Sequence, residues 1–164
     1  MINILKSEQY IKNHREETID IMCRFAITDL LLFWSDNNSL NEMQQKVWLP
    51  YLNYMREASG EAINTSYSLK IPDNKQFIVW LQNRLNLLSN KELTASFLVS
   101  TSLKSIILGL LFLNRNFSVE DIFKAAFLEE IYQNELWGKD EEEITNREKI
   151  KKDLQKISEY LIND

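Results

Sequence analysis

Apolar residues recur along this chain at three- and four-residue spacing, broken by short polar stretches, and that period is the period of helices packed by one face. The pattern is sharpest between 118 and 138. There Val119, Ile122, Phe123, Ala126, Phe127 and Trp137 share one stripe at about 100° per residue, which predicts a helix over 119–137. Ser118, with Asp121 three residues on, makes a capping box at its start, although Asp serves that position less well than Glu. Gly138 suits the left-handed turn that follows a helix. Glu130 and Gln133 fall inside the same stripe, and a carboxylate among apolar neighbours is costly to bury unless it is paired or protonated.

The rest of the chain follows the same rhythm. A short helix or ordered lead-in is predicted over 1–13. A longer helix over 15–34 carries Ile19, Met22, Ala26, Leu30 and Phe33 on one face, with Asp29 at its edge. After the polar loop 35–39, Ser39 and Glu42 can cap a helix over 40–58, which Pro50 should kink or restart. The stretch 61–71 reads as a structured loop. Asp73, with Gln76 completing a box, then caps a helix over 73–88. A long helix over 91–113 mixes small residues (Ala95, Ser96, Ser100, Ser102, Ser105, Gly109) with Leu and Ile, so it belongs at the centre of the fold, where helices approach closely. Asp140 starts a last helix over 140–162, whose seam is Ile144, Ile150, Leu154, Ile157 and Leu161. The expectation is an all-α fold in a single domain over 1–164, with six to seven helices around a central buried one.

Composition narrows the class further. The 164 residues are 45% hydrophobic and 26% charged, with three Gly and two Pro, too few turn residues for a sheet protein of this size. The most apolar run, 106–113, is far short of the roughly 20 residues that span a bilayer, so no integral membrane segment is expected. Residues 1–10 carry Lys6 and Glu8 and lack the apolar core of a signal peptide. The net charge of −5 is unevenly placed: 129–164 holds 11 acids and 6 bases, against 13 of each in the remainder. Phosphate backbones would be repelled there, which argues against nucleic acid as a partner.

Chemistry is scarce. His14 is the only histidine and lies in a polar stretch, so any Ser-His-Asp or Cys-His arrangement would have to use it. The lone Cys23 excludes an internal disulfide and a cysteine zinc cluster, and reads as a small hydrophobe on a core helix. Glu129 and Glu130 invite a di-iron reading, but the Glu-x-x-His motifs of such bundles are missing. The expectation is a protein that is not an enzyme and needs no cofactor or metal.

The run 128–138, Leu-Glu-Glu-Ile-Tyr-Gln-Asn-Glu-Leu-Trp-Gly, resembles the signature near the C-terminus of the Atp-twelve chaperone family, assembly factors for the F-type ATP synthase. Upstream, Phe25, Thr28-Asp29-Leu30-Leu31, Leu40, Gln44, Trp48, Pro50 and Tyr54 are similar to the family's second block. Residues 114–118 resemble the turn before its signature helix, and Arg147 a basic residue after it. The resemblance spans roughly 15–155. It departs at Phe33-Trp34, where the family usually has Tyr-Arg, and at Val47 and Leu49, where acids are common.

The resemblance implies a chaperone that binds the ATP synthase α subunit before it meets the β subunit. It would act in the bacterial cytoplasm or the mitochondrial matrix without hydrolysing ATP. Family members pair an all-α C-terminal domain with a mostly β N-terminal one, and only the helical half is matched here, so a separately encoded β domain becomes a candidate partner. The residues carried over as signature or client-binding positions are Glu130, Gln133, Trp137, Gly138, Asp29 and Trp48. For Glu130 the alternatives are an acid tied into a network with Gln133 and a base, or a direct client contact. Asp29 is read as a buried cap or network acid and Trp137 as a core residue, each ahead of a client contact. The acidic run 140–143 suits a helix start, and could also steer a basic client surface. The alternative functions are a helical interaction module of another complex, or a truncated relative that has lost the activity.

Overall fold

The computed structural model of the chain describes residues 2–163. Nine α-helices and one 3-10 turn are found among these residues, in the order α1 (Ile4–Asn13), α2 (Arg15–Ile27), the 3-10 turn (Leu30–Leu32), α3 (Asn38–Ser59), α4 (Lys75–Asn86), α5 (Asn90–Leu103), α6 (Ile106–Leu111), α7 (Val119–Ala126), α8 (Leu128–Trp137) and α9 (Glu141–Ile162). The only extended pairing among them is an isolated parallel bridge between Phe33 and Ser66. The all-α class is as expected, but the helices are more numerous because three long periodic runs are broken.

Each break has its own local chemistry. The run 15–34 stops after Ile27, because the Asp29 carboxylate accepts the Leu31 N–H at 2.9 Å and caps the 3-10 turn. The run 91–113 divides at Lys104, which takes the left-handed conformation (φ 59°), and at Ser105, whose hydroxyl accepts the Leu108 N–H and starts α6. The signature run 119–137 divides at Phe127, whose φ of −104° and ψ of 18° turn the backbone out of the helix. Smaller differences concern caps. Asn37, not Ser39, accepts the Leu40 N–H at the start of α3, and α4 begins at Lys75, with Asp73 accepting that residue's N–H. Helix α3 runs unbroken through Pro50, which lies on the exposed face, where water can serve the carbonyl that the ring deprives of a donor.

Helices α5 and α6 form the centre. Every residue of α6 is buried, and the pair packs against α1, α2, α3 and α9. Close approach depends on Gly109: a Cβ there would come within 2.0 Å of Ser100 Oγ and 2.8 Å of the Ser96 carbonyl. Polar ends are tied down by specific partners. The Arg15 guanidinium donates to the carbonyls of Leu85, Asn86 and Leu88, serving the open end of α4. The loop 61–73 is held by Ile63, which is buried, and by reciprocal bonds between Asn64 and Asn74. Leu154 and Ile157 bring α9 onto the core. No helix among the described residues is long and apolar enough to cross a membrane.

Candidate functional site

The six signature positions separate into two groups. Asp29 and Trp48 are interior. Asp29 Oδ1 accepts from the Leu31 N–H (2.9 Å) and the Ser105 hydroxyl (2.8 Å), while Oδ2 accepts from the Ile107 N–H (2.9 Å). Burial pushes its carboxyl up to about 6, and the N–H groups of Ile107 and Leu31 and the Ser105 hydroxyl pull the other way. The residue is thus a network acid that joins the end of α2 to the start of α6. Trp48 is fully buried, and its indole Nε1–H donates to the Ala125 carbonyl at 2.8 Å, fixing α3 against α7.

Glu130, Gln133, Trp137 and Gly138 lie on or just after α8, a surface helix whose one buried residue is Leu128. Side-chain bonds hold this helix from both flanks. On the α3 side, Gln44 Nε2 donates to Glu129 Oε1 at 2.9 Å, and the Ser35 N–H donates to Gln44 Oε1 at 2.9 Å. The Tyr132 hydroxyl reaches Asn37 Oδ1 at 3.4 Å. On the α9 side, Arg147 Nη1 lies 3.0 Å from Glu130 Oε2 and donates to Asn134 Oδ1 at 2.8 Å. Asn134 Nδ2 in turn donates to Glu143 Oε2 at 3.2 Å. The Glu130–Arg147 contact is an ion pair off the hydrogen-bond axis, since Oε2 makes no aligned bond. Burial raises the Glu129 carboxyl, and the Gln44 amide offsets part of that rise.

Several expectations change here. Trp137 is not a core residue: its relative exposure is 81%, and Leu136 beside it stands at 55%. Gln133 is exposed too, so the network around Glu130 is completed by Asn134 and Arg147 instead. The cause is the turn at Phe127, which shifts 128–137 out of phase with the stripe that 119–126 buries. Gly138 adopts φ 97° and ψ 162°, a region open almost only to glycine, rather than the compact left-handed turn. The pairing of Glu129 with Gln44 spans 85 positions, beyond the reach of local periodicity. The signal available was the adjacency of two acids, which a helix points about 100° apart, here one toward α3 and the other toward α9.

The Glu130–Arg147 pair is largely shielded, at side-chain exposures of 30% and 11%. A double-mutant cycle with Glu130→Gln and Arg147→Met is expected to return a coupling of about 1 kcal/mol. A coupling near zero in urea unfolding would show that the pair does not hold α8 to α9.

His14 sits at the α1–α2 junction, stacked on Tyr10 at 4.1 Å, far in sequence from the acids of α8. Among the described residues, no group of three or more His, Cys, Asp or Glu is placed to hold a metal ion. The chain superposes on Atp12 from Paracoccus denitrificans with a TM-score of 0.89 at 18% identity, covering 94% of this chain and 67% of that one. The chain has the Atp12 fold. A candidate chaperone from Agrobacterium tumefaciens shares that fold, with a TM-score of 0.83 at 21% identity, over 92% of this chain and 57% of its own. No protein-family model and no curated protein sequence matches the chain. The likeness to Atp12 is therefore one of fold, found at 18% and 21% identity.

Proposed function

We propose that the chain is a non-enzymatic assembly chaperone that binds the unassembled α subunit of the F-type ATP synthase catalytic head. The observation that carries this reading is the Atp12 fold over nearly the whole chain. The signature run 128–138 supports it, since it supplies a helix fastened on both flanks that leaves Leu136 and Trp137 in solvent. On this reading Asp29 and Trp48 hold the scaffold, while Glu130 sets the pose of α8. Gln133, Trp137 and Gly138 face the client. Residues 1–164 would act as one all-α domain, alone or with a separately encoded β domain, in the bacterial cytoplasm or the mitochondrial matrix.

The test is capture of recombinant ATP synthase α subunit by the tagged chain, with and without a co-expressed β domain. Expected is a complex that Trp137→Ala weakens about tenfold with no change in Tm. Absence of any complex in both arms would overturn the reading. A proteomic pull-down dominated by a partner unrelated to the ATP synthase would favour a helical module of another assembly.

A further inference from the structure

We infer that the Leu136–Trp137 edge of α8, together with the acidic start of α9, is a docking surface for a basic amphipathic segment of another polypeptide. This rests on the chaperone reading for its client and adds the chemistry that the client must present. Two apolar side chains at the end of a fastened helix are the starting observation: Trp137 at 81% and Leu136 at 55% exposure. A Trp left in water on a surface held by side-chain bonds is the residue type that most often anchors an interface.

Charge identifies the occupant. Glu135 precedes the pair, and Glu141 and Glu142 follow it on the first turn of α9, all exposed and none in a salt bridge among the described residues. The helix start accounts for other acids nearby, because Asp140 accepts the N–H groups of Glu142 and Glu143, and Glu143 accepts from Asn134. Lys139 is the one opposing charge between the aromatic and this run. Lys149 also lines the cleft beside Glu141 and Glu142, so the edge is an apolar anchor point rimmed by an excess of carboxylates over lysines. A second copy would set acid against acid, and nucleic acid or an anionic lipid surface would be repelled. A segment that pairs one apolar face with Lys and Arg on its flanks meets both features.

The experiment uses the full chain and two synthetic amphipathic helical peptides, one of Leu and Lys and the other of Leu and Glu in the same register. Binding is followed by anisotropy of labelled peptide. The Leu/Lys peptide is expected to bind at low salt at least tenfold more tightly than the Leu/Glu peptide, and to weaken steeply as salt rises. Trp137→Ser should weaken it about tenfold. The combined Glu135→Gln, Glu141→Gln and Glu142→Gln variant should weaken it about fivefold and flatten the salt dependence, with circular dichroism unchanged and Tm only slightly lowered by the loss of two acids at the start of α9. Equal binding of the two peptides, or unaltered affinity in both variants, would overturn the assignment. So would a dimer of the chain that Trp137→Ser dissociates, because the edge would then belong to a second copy. Localised binding of the Leu/Lys peptide without capture of the α subunit would leave this surface standing and remove the ATP synthase reading. Capture of the α subunit undiminished in both variants would do the reverse.

Discussion

Replacing Asp29 with Ala is expected to cost about 3 kcal/mol of unfolding free energy at pH 7, measured by urea denaturation. The substitution strands three buried donors at once, the N–H groups of Leu31 and Ile107 and the Ser105 hydroxyl. It also removes the cap of the 3-10 turn. Asn keeps one oxygen for two of those donors and should cost about half as much, because its amide nitrogen cannot accept from Ile107. A loss below about 1 kcal/mol for Ala would mean that the network contributes little in solution.

The pH dependence has a definite sign. Burial holds the Asp29 carboxyl at about 6 in the folded chain, above its ordinary 3.8. The folded state therefore binds this proton more tightly than the unfolded state. The associated stability is complete below pH 3.8 and is lost as pH rises through about 6. The deficit of the Ala variant relative to the parent should be wider at pH 5 than at pH 7, by about 1 kcal/mol. A deficit that widens with rising pH would contradict this direction.

Gly109→Ala carries the second large effect, an expected loss of about 3 kcal/mol or more. Ala is the better helix former by roughly 1 kcal/mol, and in an open helix that would decide the sign. Here the new methyl would sit 2.0 Å from Ser100 Oγ and 2.8 Å from the Ser96 carbonyl, and the second of these is backbone that cannot rotate aside. Ser100 is fixed as well, since its hydroxyl donates to that same carbonyl at 2.6 Å. Helices α5 and α6 would have to part. Adding Ser100→Ala removes the shorter clash and leaves the longer, so the double variant should recover about 1 kcal/mol beyond additivity. Urea unfolding of the four species checks this, and a neutral or stabilising Gly109→Ala would mean the helices are further apart than described.

The sequence spoke clearly where one residue type does one local job. Ser118 caps α7 and Asp140 caps α9 as their side chains require, and the apolar run 106–113 supplies α6, buried along its whole length. The small residues of 95–109 announced close packing, and Gly109 is where it occurs. The breaks were hidden. Lys104 takes a positive φ without being Gly, and Ser105 reads as a packing residue until Asp29 arrives from another part of the chain. At Phe127 no Gly, Pro or capping side chain marks the turn, so the periodicity runs through it unbroken and places Trp137 and Gln133 on the buried side, where the structure exposes both. The candidate site was legible as a set of residue names. Its division into scaffold and surface depended on long-range partners that local periodicity does not carry.

Those partners also set when the molecule can be completed during synthesis. Ser105 and Ile107 follow Asp29 by 76 and 78 positions, Ala125 follows Trp48 by 77, and Glu129 follows Gln44 by 85. Helices α2 and α3 therefore emerge from the ribosome with their key polar groups still facing water. They must wait for residues 105–129 to be translated before they lock, a delay paid in loop-closure entropy. Until then the nascent amino-terminal half is itself an unfinished polypeptide with exposed apolar faces.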